Sequence, residues 1–293
     1  MTARVSIDEW IAEAPDAQRE LRRAVHVVLL AIGELRRRGI TVVMKGGVLL
    51  AVRYESDRYT RDIDFSTALT QHELTPDQFI REFDAALAVA VDRSQHGLGC
   101  RIQGSKLNPP SMESTTPTLQ IRVGYAPLSD ERRSARLRRG QSTTVVSVDV
   151  SYNEIVTAEE VIDLGDGTEI VGSTLTDAVG EKYRAMLQQP VRDRARRQDV
   201  FDIHMLLNVR RAELEVGRRE VLDALIAKCR DRGVTPMADG LRDEQVMARS
   251  RADYPRLADE IPRALPPFDD VYRAVREYYE SLPWSTAAQR PAK

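Results

Sequence analysis

Apolar residues recur at helical spacing along "AQRELRRAVHVVLLAIGELRRR" (17–38), with Leu21, Val25, Val28, Leu29 and Ile32 on one side. A helix is predicted there, and Gly39 closes it as a C-terminal cap. "ITVVMK" (40–45) reads as a short buried strand, "VLLAVRYE" (48–55) as a helix opening at two glycines, and "DIDFS" (62–66) as the next strand. Thr75 and Pro76 mark the start of a helix over 75–93. Strand-like runs follow at 100–106, 118–126 and 144–153, and the basic stretch between the last two is read as the tip of a hairpin. From about residue 173 the period changes to that of helices. Thr174 and Asp177 stand in capping-box spacing before Leu175, Val179, Met186 and Leu187, and Pro190 ends that run. Further helical patterns cover 196–209, 219–233 and 268–282.

The pattern therefore predicts an α/β (α+β) N-terminal lobe over 1–172, a mixed sheet with flanking helices. A helical C-terminal lobe over 173–285 and a disordered tail over 286–293 follow. At 293 residues two lobes sharing a cleft is the natural expectation. Hydrophobic residues at 42% and charged residues at 30% fit a globular chain rather than a disordered one. Cys100 and Cys229 are too few and too far apart for a disulfide framework or a cysteine zinc site. With no secretory signal and no apolar run of membrane length, a cytoplasmic protein is expected. Net charge is −2, so partners are better sought in local clusters, "ERRSARLRRG" (131–140) and "VRDRARRQD" (191–199). Each alone fits a solvated arginine-rich face. The four histidines, His26, His72, His96 and His204, are scattered and are not expected to form a site.

Chemistry concentrates between residues 45 and 64. In a strand, Asp62 and Asp64 send both carboxylates to one face while Ile63 turns to the core. Adjacent carboxylates call for a cation, and hard oxygens suit Mg²⁺. Asp-x-Asp is a short pattern, but its surroundings strengthen it. Gly46 and Gly47 at a helix start offer bare backbone N–H groups to phosphates, and Lys45 precedes them. In "TVVSVDVSYN", Val146, Val148 and Val150 share one face and Asp149 the other. Asp149 is either a third ligand of a shared metal or an outward residue of a half-exposed sheet. Three carboxylates could hold one or two ions on the α-phosphate of a nucleotide, with Asp149 as proton acceptor. The pattern proposes nucleotidyl transfer.

Lys45-Gly46-Gly47, Arg53, "RYTRDIDF" (58–65) and Asp149 together resemble the minimal nucleotidyltransferase fold of the polymerase beta superfamily. Within it, "GEKYRAML" (180–187) and "RRQDVFDIHML" (196–206) resemble the AbiEii/AbiGii abortive-infection toxins of type IV toxin–antitoxin systems, which include mycobacterial toxins that add nucleotides to tRNA. The resemblance spans 40–207. It implies that Gly46 and Gly47 line the phosphates with Lys45 and Arg61 nearby, that Thr60 sits beside the metal, and that Asp62 and Asp64 hold it. It further implies that Lys182 contacts nucleotide phosphates and that Asp202, with Asp199, completes the site. Independently, Asp199 and Asp202 are three apart on a helix and share a face, where either could pair with Lys182. This chain departs from the family at Thr60-Arg61 and at Gln198, which replaces a basic residue.

The expected function is that of an Mg²⁺-dependent toxin, Mn²⁺ being able to substitute, that uses an NTP to modify RNA, foremost the tRNA 3′ end. Arg132, Arg133, Arg138, Arg139, Arg194, Arg196 and Arg197 would steer the phosphate backbone. A cognate antitoxin is implied by the family. The alternatives are transfer to a small molecule such as an aminoglycoside or to a protein, and a non-catalytic nucleotide- or RNA-binding protein.

Overall fold

A computed structural model describes residues 2–111 and 113–284; the tail expected to be disordered lies outside the described residues. The chain divides into two compact units. Residues 1–52 and 60–172 form one, and residues 53–59 and 173–293 the other.

The first unit runs β1 (Thr2–Arg4), α1 (Ile7–Ala12), α2 (Asp16–Arg37), β2 (Val43–Lys45), α3 (Gly46–Arg53), β3 (Asp62–Ser66) and α4 (Pro76–Arg93). It continues through β4 (Leu98–Asn108), β5 (Thr118–Pro127), α5 (Glu131–Arg138), β6 (Val145–Ser151), β7 (Glu159–Asp163) and β8 (Glu169–Ser173). The strands form one mixed eight-stranded sheet in the order β1-β7-β8-β2-β3-β6-β5-β4. β3 lies parallel to β6 and antiparallel to β2, and the sheet turns antiparallel through β5 and β4.

Local chemistry explains most boundaries. Gly39 takes φ 87, and the amides of Gly39 and Ile40 bond back to Arg36 and Leu35, a Schellman closure of α2. The Thr75 hydroxyl accepts from the Gln78 amide and Thr174 from that of Asp177, so both predicted caps form. α2 and α4 pack together, and α4 lies against β4. The core strands contribute Ile63, Phe65, Val146, Val148 and Val150, all fully buried. The short strands β7 and β8 carry no period strong enough to single out in the sequence, and only their neighbours make them strands.

The basic stretch between β5 and β6 is not a bare hairpin tip. It forms α5, capped by Asp130, whose side chain accepts from the Arg133 amide. Leu137 supplies the buried anchor of that short helix.

The second unit is helical: α6 (Leu175–Leu187), α7 (Gln189–Arg192), α8 (Arg197–Val209), α9 (Arg211–Val216), α10 (Arg218–Asp231), α11 (Glu244–Arg251) and α12 (Phe268–Glu280), with two 3₁₀ turns. α6 packs on α10, and α8 on α12. Gly180 permits the first contact: a Cβ there would stand 2.8 Å from Ala224 Cβ and 3.0 Å from the Leu225 nitrogen. α6 stops at Leu187, and Pro190 opens the separate turn α7, where its missing N–H costs no helical bond.

Candidate active site

β3 and β6 pair in parallel with Asp64 opposite Asp149 and Asp62 opposite Ser147. Cross-strand partners point to one face, so Asp62, Asp64 and Asp149 share the side opposite the buried Ile63 and Val148. The antiparallel partner of Asp64 on β2 is Lys45, immediately before the glycines. Gly46 has φ 71, and a Cβ there would lie 2.2 Å from Asp64 Oδ2. Glycine is therefore required twice, by the left-handed backbone and by the carboxylate lying against it. Gly47 lies in the first turn of α3, whose amides have no intrahelical acceptor. Thr60 donates its hydroxyl to the Asp62 carbonyl at 3.4 Å, and Arg61 is exposed beside it.

Burial pushes the Asp149 carboxyl above its ordinary pKa. Gln120 opposes this by donating Nε2–H to Oδ2 at 3.1 Å, while the Asp62 charge adds to it and Lys45 and Lys106 draw it back. Asp149 is thus a stronger proton acceptor than a free aspartate. Asp149 is half-buried on that face, between the fully buried Val148 and Val150.

Lys45 is already engaged. Its ammonium donates to Glu154 and, at 3.3 Å, to Ser151, while the Ser66 hydroxyl donates to Glu154 at 2.6 Å. Glu154 is 8% exposed, so a lysine partner stabilises its buried charge. Sequence reasoning did not single it out: a glutamate just past a strand end looks like any loop charge.

The second unit builds its own polar centre. Asp202 on α8 is fully buried and accepts from Arg58 Nε at 2.8 Å, Arg58 Nη2 at 3.0 Å and Lys182 Nζ at 2.7 Å. Lys182 also reaches Asp199 at 3.0 Å, and Glu260 lies 3.3 Å from Arg58 Nη1. Burial alone would raise the Asp202 pKa, but Arg58 and Lys182 outweigh it and hold the carboxyl down at about 2. Burial likewise works against the charged lysine, yet Asp202 and Asp199 keep its pKa above normal. Arg58 lies within the quoted "RYTRDIDF" motif, but its role follows from this bidentate contact. The sequence placed Lys182, Asp199 and Asp202 together, and they do meet.

The seven arginines separate into two groups. Arg132, Arg138, Arg139 and Arg194 are exposed with no side-chain partner among the described residues. Arg133 instead binds Glu20 through both Nη atoms, Arg197 pairs with Glu260, and Arg196 lies 3.8 Å from Asp199.

Two of the four scattered histidines meet in space. His26 and His96, far apart in sequence, are joined by a 2.8 Å Nδ1–Nε2 bond, and His26 Nε2 lies 2.9 Å from Asp166 Oδ2. A carboxylate only accepts, so His26 Nε2–H donates to Asp166, while the direction of the bond between the two rings depends on their tautomers. Long-range packing of α2 against the loop before β4 makes this chain, which local sequence could not reveal. His72 and His204 take no part.

Among the described residues, no three His, Cys, Asp or Glu side chains are drawn together as a metal cage. None of the helices among the described residues is long and apolar enough to cross a membrane.

The family model "Nucleotidyl transferase AbiEii toxin, Type IV TA system" matches residues 33–279. No curated protein matches by sequence. Among solved structures, MenT4, a nucleotidyltransferase toxin from Mycobacterium tuberculosis H37Rv, is similar at TM-score 0.57 and 14% identity, covering 97% of this chain and 90% of that one. JHP933 from Helicobacter pylori is similar at TM-score 0.49 and 12% identity, covering 92% of each. With its mixed sheet and paired carboxylates in that frame, the chain belongs to the AbiEii family of type IV toxin–antitoxin nucleotidyltransferases.

Proposed function

We propose that the protein transfers a nucleoside monophosphate from an NTP to an RNA acceptor, the 3′ end of tRNA, and so blocks translation. The observation that carries this is the set of three carboxylates on one face of β3 and β6, with Asp64 lying against the Gly46 backbone. Phosphate would bind at the amides of Gly46 and Gly47. A divalent cation, Mg²⁺ or Mn²⁺, fits Asp62, Asp64 and Asp149, since the donors are hard oxygens and the Asp149 carboxyl is already crowded by the Asp62 charge. Mg²⁺ commonly takes one or two carboxylates and completes its shell with phosphate and water, so a preformed three-residue cage is not needed. When bound, it supplies charge neutralisation at the α-phosphate.

In the transfer, the acceptor hydroxyl oxygen forms a bond to the α-phosphorus and the bond to the bridging oxygen breaks, releasing pyrophosphate. Asp149 takes the hydroxyl proton. Lys182, Asp199 and Asp202 belong to the machinery on the strength of the family. What supports this is cost: burying charges is destabilising unless fully paired, and such networks concentrate at functional sites. The exposed Arg132, Arg138, Arg139 and Arg194 favour a polyanionic acceptor over a cationic drug. The family also implies a cognate antitoxin.

The test is incubation with each labelled NTP, Mg²⁺ and total bacterial RNA, followed by a denaturing gel. Label at tRNA size, absent with Asp62→Ala, is the expected result. Label on no RNA redirects the acceptor to a small molecule or a protein, and a fully active Asp62→Ala protein overturns the mechanism.

A further inference from the structure

The polar face does not end at Asp149. Register pairing carries one lateral row across five adjacent strands: Lys45 faces Asp64, Asp64 faces Asp149, Asp149 faces Gln120, and Gln120 faces Lys106. The neighbouring row runs from Asp62 through Ser147 to Arg122 on β5. Each member shares the face of the carboxylates, because laterally paired side chains point the same way. Lys106 and Arg122 are exposed, and neither has an ion-pair partner among the described residues. The Lys106 charge nevertheless reaches Asp149, whose carboxyl it draws toward ionisation.

We infer that Lys106 and Arg122, with Gln120 beside them, form the subsite that holds the phosphodiester backbone of the acceptor next to its reacting end. This rests on the proposed RNA acceptor and gives it a place. In-line displacement puts the attacking and leaving oxygens on opposite sides of the phosphorus. The glycine turn after β2 claims one flank of the carboxylates for the departing pyrophosphate, which leaves β5 and β4 on the other flank for the acceptor. Strands about 4.8 Å apart put the Lys106 backbone roughly 10 Å from that of Asp149, within reach of a neighbouring nucleotide. An edge-strand lysine can serve simply to discourage sheet-to-sheet pairing. That account covers Lys106 on β4 but not Arg122, since β5 is paired on both sides. A basic flank beside three acidic residues also matches the charge order of a polyanion delivered to a cation-holding centre.

The experiment compares wild-type protein with Lys106→Ser/Arg122→Ser in steady-state transfer of labelled nucleotide to RNA, across a salt titration. Both residues are exposed, and an unchanged melting temperature verifies the fold. The expected result is a KM for RNA raised about tenfold or more against an unchanged KM for the NTP. The log–log salt slope of RNA affinity should fall by about one to two, given roughly 0.7 per contact on a single strand. An active wild type with the same KM for RNA in the variant overturns the subsite alone. A raised KM for the NTP assigns the pair to the nucleotide and also overturns it. A wild type that consumes NTP in an Asp62-dependent way but labels no RNA removes the acceptor reading, and the subsite with it.

Discussion

Removing the Asp202 carboxylate should unfold the helical unit at much lower stress. Asp202 is fully buried and receives two bonds from Arg58 and one from Lys182. In Asp202→Ala, Arg58 retains only Glu260 and Lys182 only Asp199. Breaking a buried pair by deleting one partner costs about 3–5 kcal/mol, because the remaining charge stays desolvated. At about 4 °C per kcal/mol, the melting point of this unit should fall by roughly 10–20 °C. The two tryptophans make the assay specific: Trp10 belongs to the first unit, and Trp284 to the second, where its indole donates to the Tyr279 carbonyl at 2.9 Å. In a Trp10→Phe background, fluorescence follows the helical unit alone. Adding Lys182→Met removes one orphaned cation, so the double variant should lose less than the sum of the singles, by about 2 kcal/mol. Acid gives an independent measure. The Asp202 pKa is depressed from 3.8 to about 2, so its stabilisation is complete above pH 4 and disappears as pH falls toward 2. A loss below about 1 kcal/mol, or strictly additive single variants, would refute the reasoning.

Four further outcomes are expected. Burial, then His26 and Arg23, depress the His96 pKa to about 4 from 6.5, so the unfolded chain binds the extra proton first on acidification. Stability should fall from pH 6.5 to 4 by about 1–2 kcal/mol, discounted for a half-exposed ring, and His96→Gln should flatten that slope in urea titrations. Gln120→Leu removes the donor that favours ionised Asp149, so the acid limb of the pH–rate profile should move to higher pH; an unmoved limb would exclude Asp149 as the titrating base. Gly46→Ala should cost at least about 1 kcal/mol from its positive φ and displace Asp64, lowering turnover at least tenfold; near-normal activity would show that the turn does not set the carboxylate. Arg132→Ser/Arg138→Ser/Arg139→Ser should weaken RNA binding at low salt without altering the melting point, whereas Arg133→Ser should lower stability by freeing Glu20.

Periodicity and punctuation made the mixed α/β lobe legible. Strand alternation put Asp62, Asp64 and Asp149 on predictable faces, paired glycines marked the turn, and Thr75 and Thr174 announced their helices. Helical spacing likewise joined Asp199 to Asp202. These are local signals, set by residues a few positions apart. Strand neighbours are not local. That β3 lies beside β6, so that Asp64 faces Asp149, depends on sheet order across more than eighty residues of chain. The same order brings Lys106, Gln120 and Arg122 into the carboxylate face. Glu154, Arg58 and the His26–His96–Asp166 chain were invisible for the same reason, as each acquires its role from a partner fixed only by packing. Arg133 and Arg132 are adjacent in one basic run, yet Glu20 engages the first and leaves the second to solvent. The sequence by itself determined which residues lie on which face of each element, because that follows from backbone period; the tertiary structure decided which faces meet, and so which charges are neutralised and which remain available to a ligand.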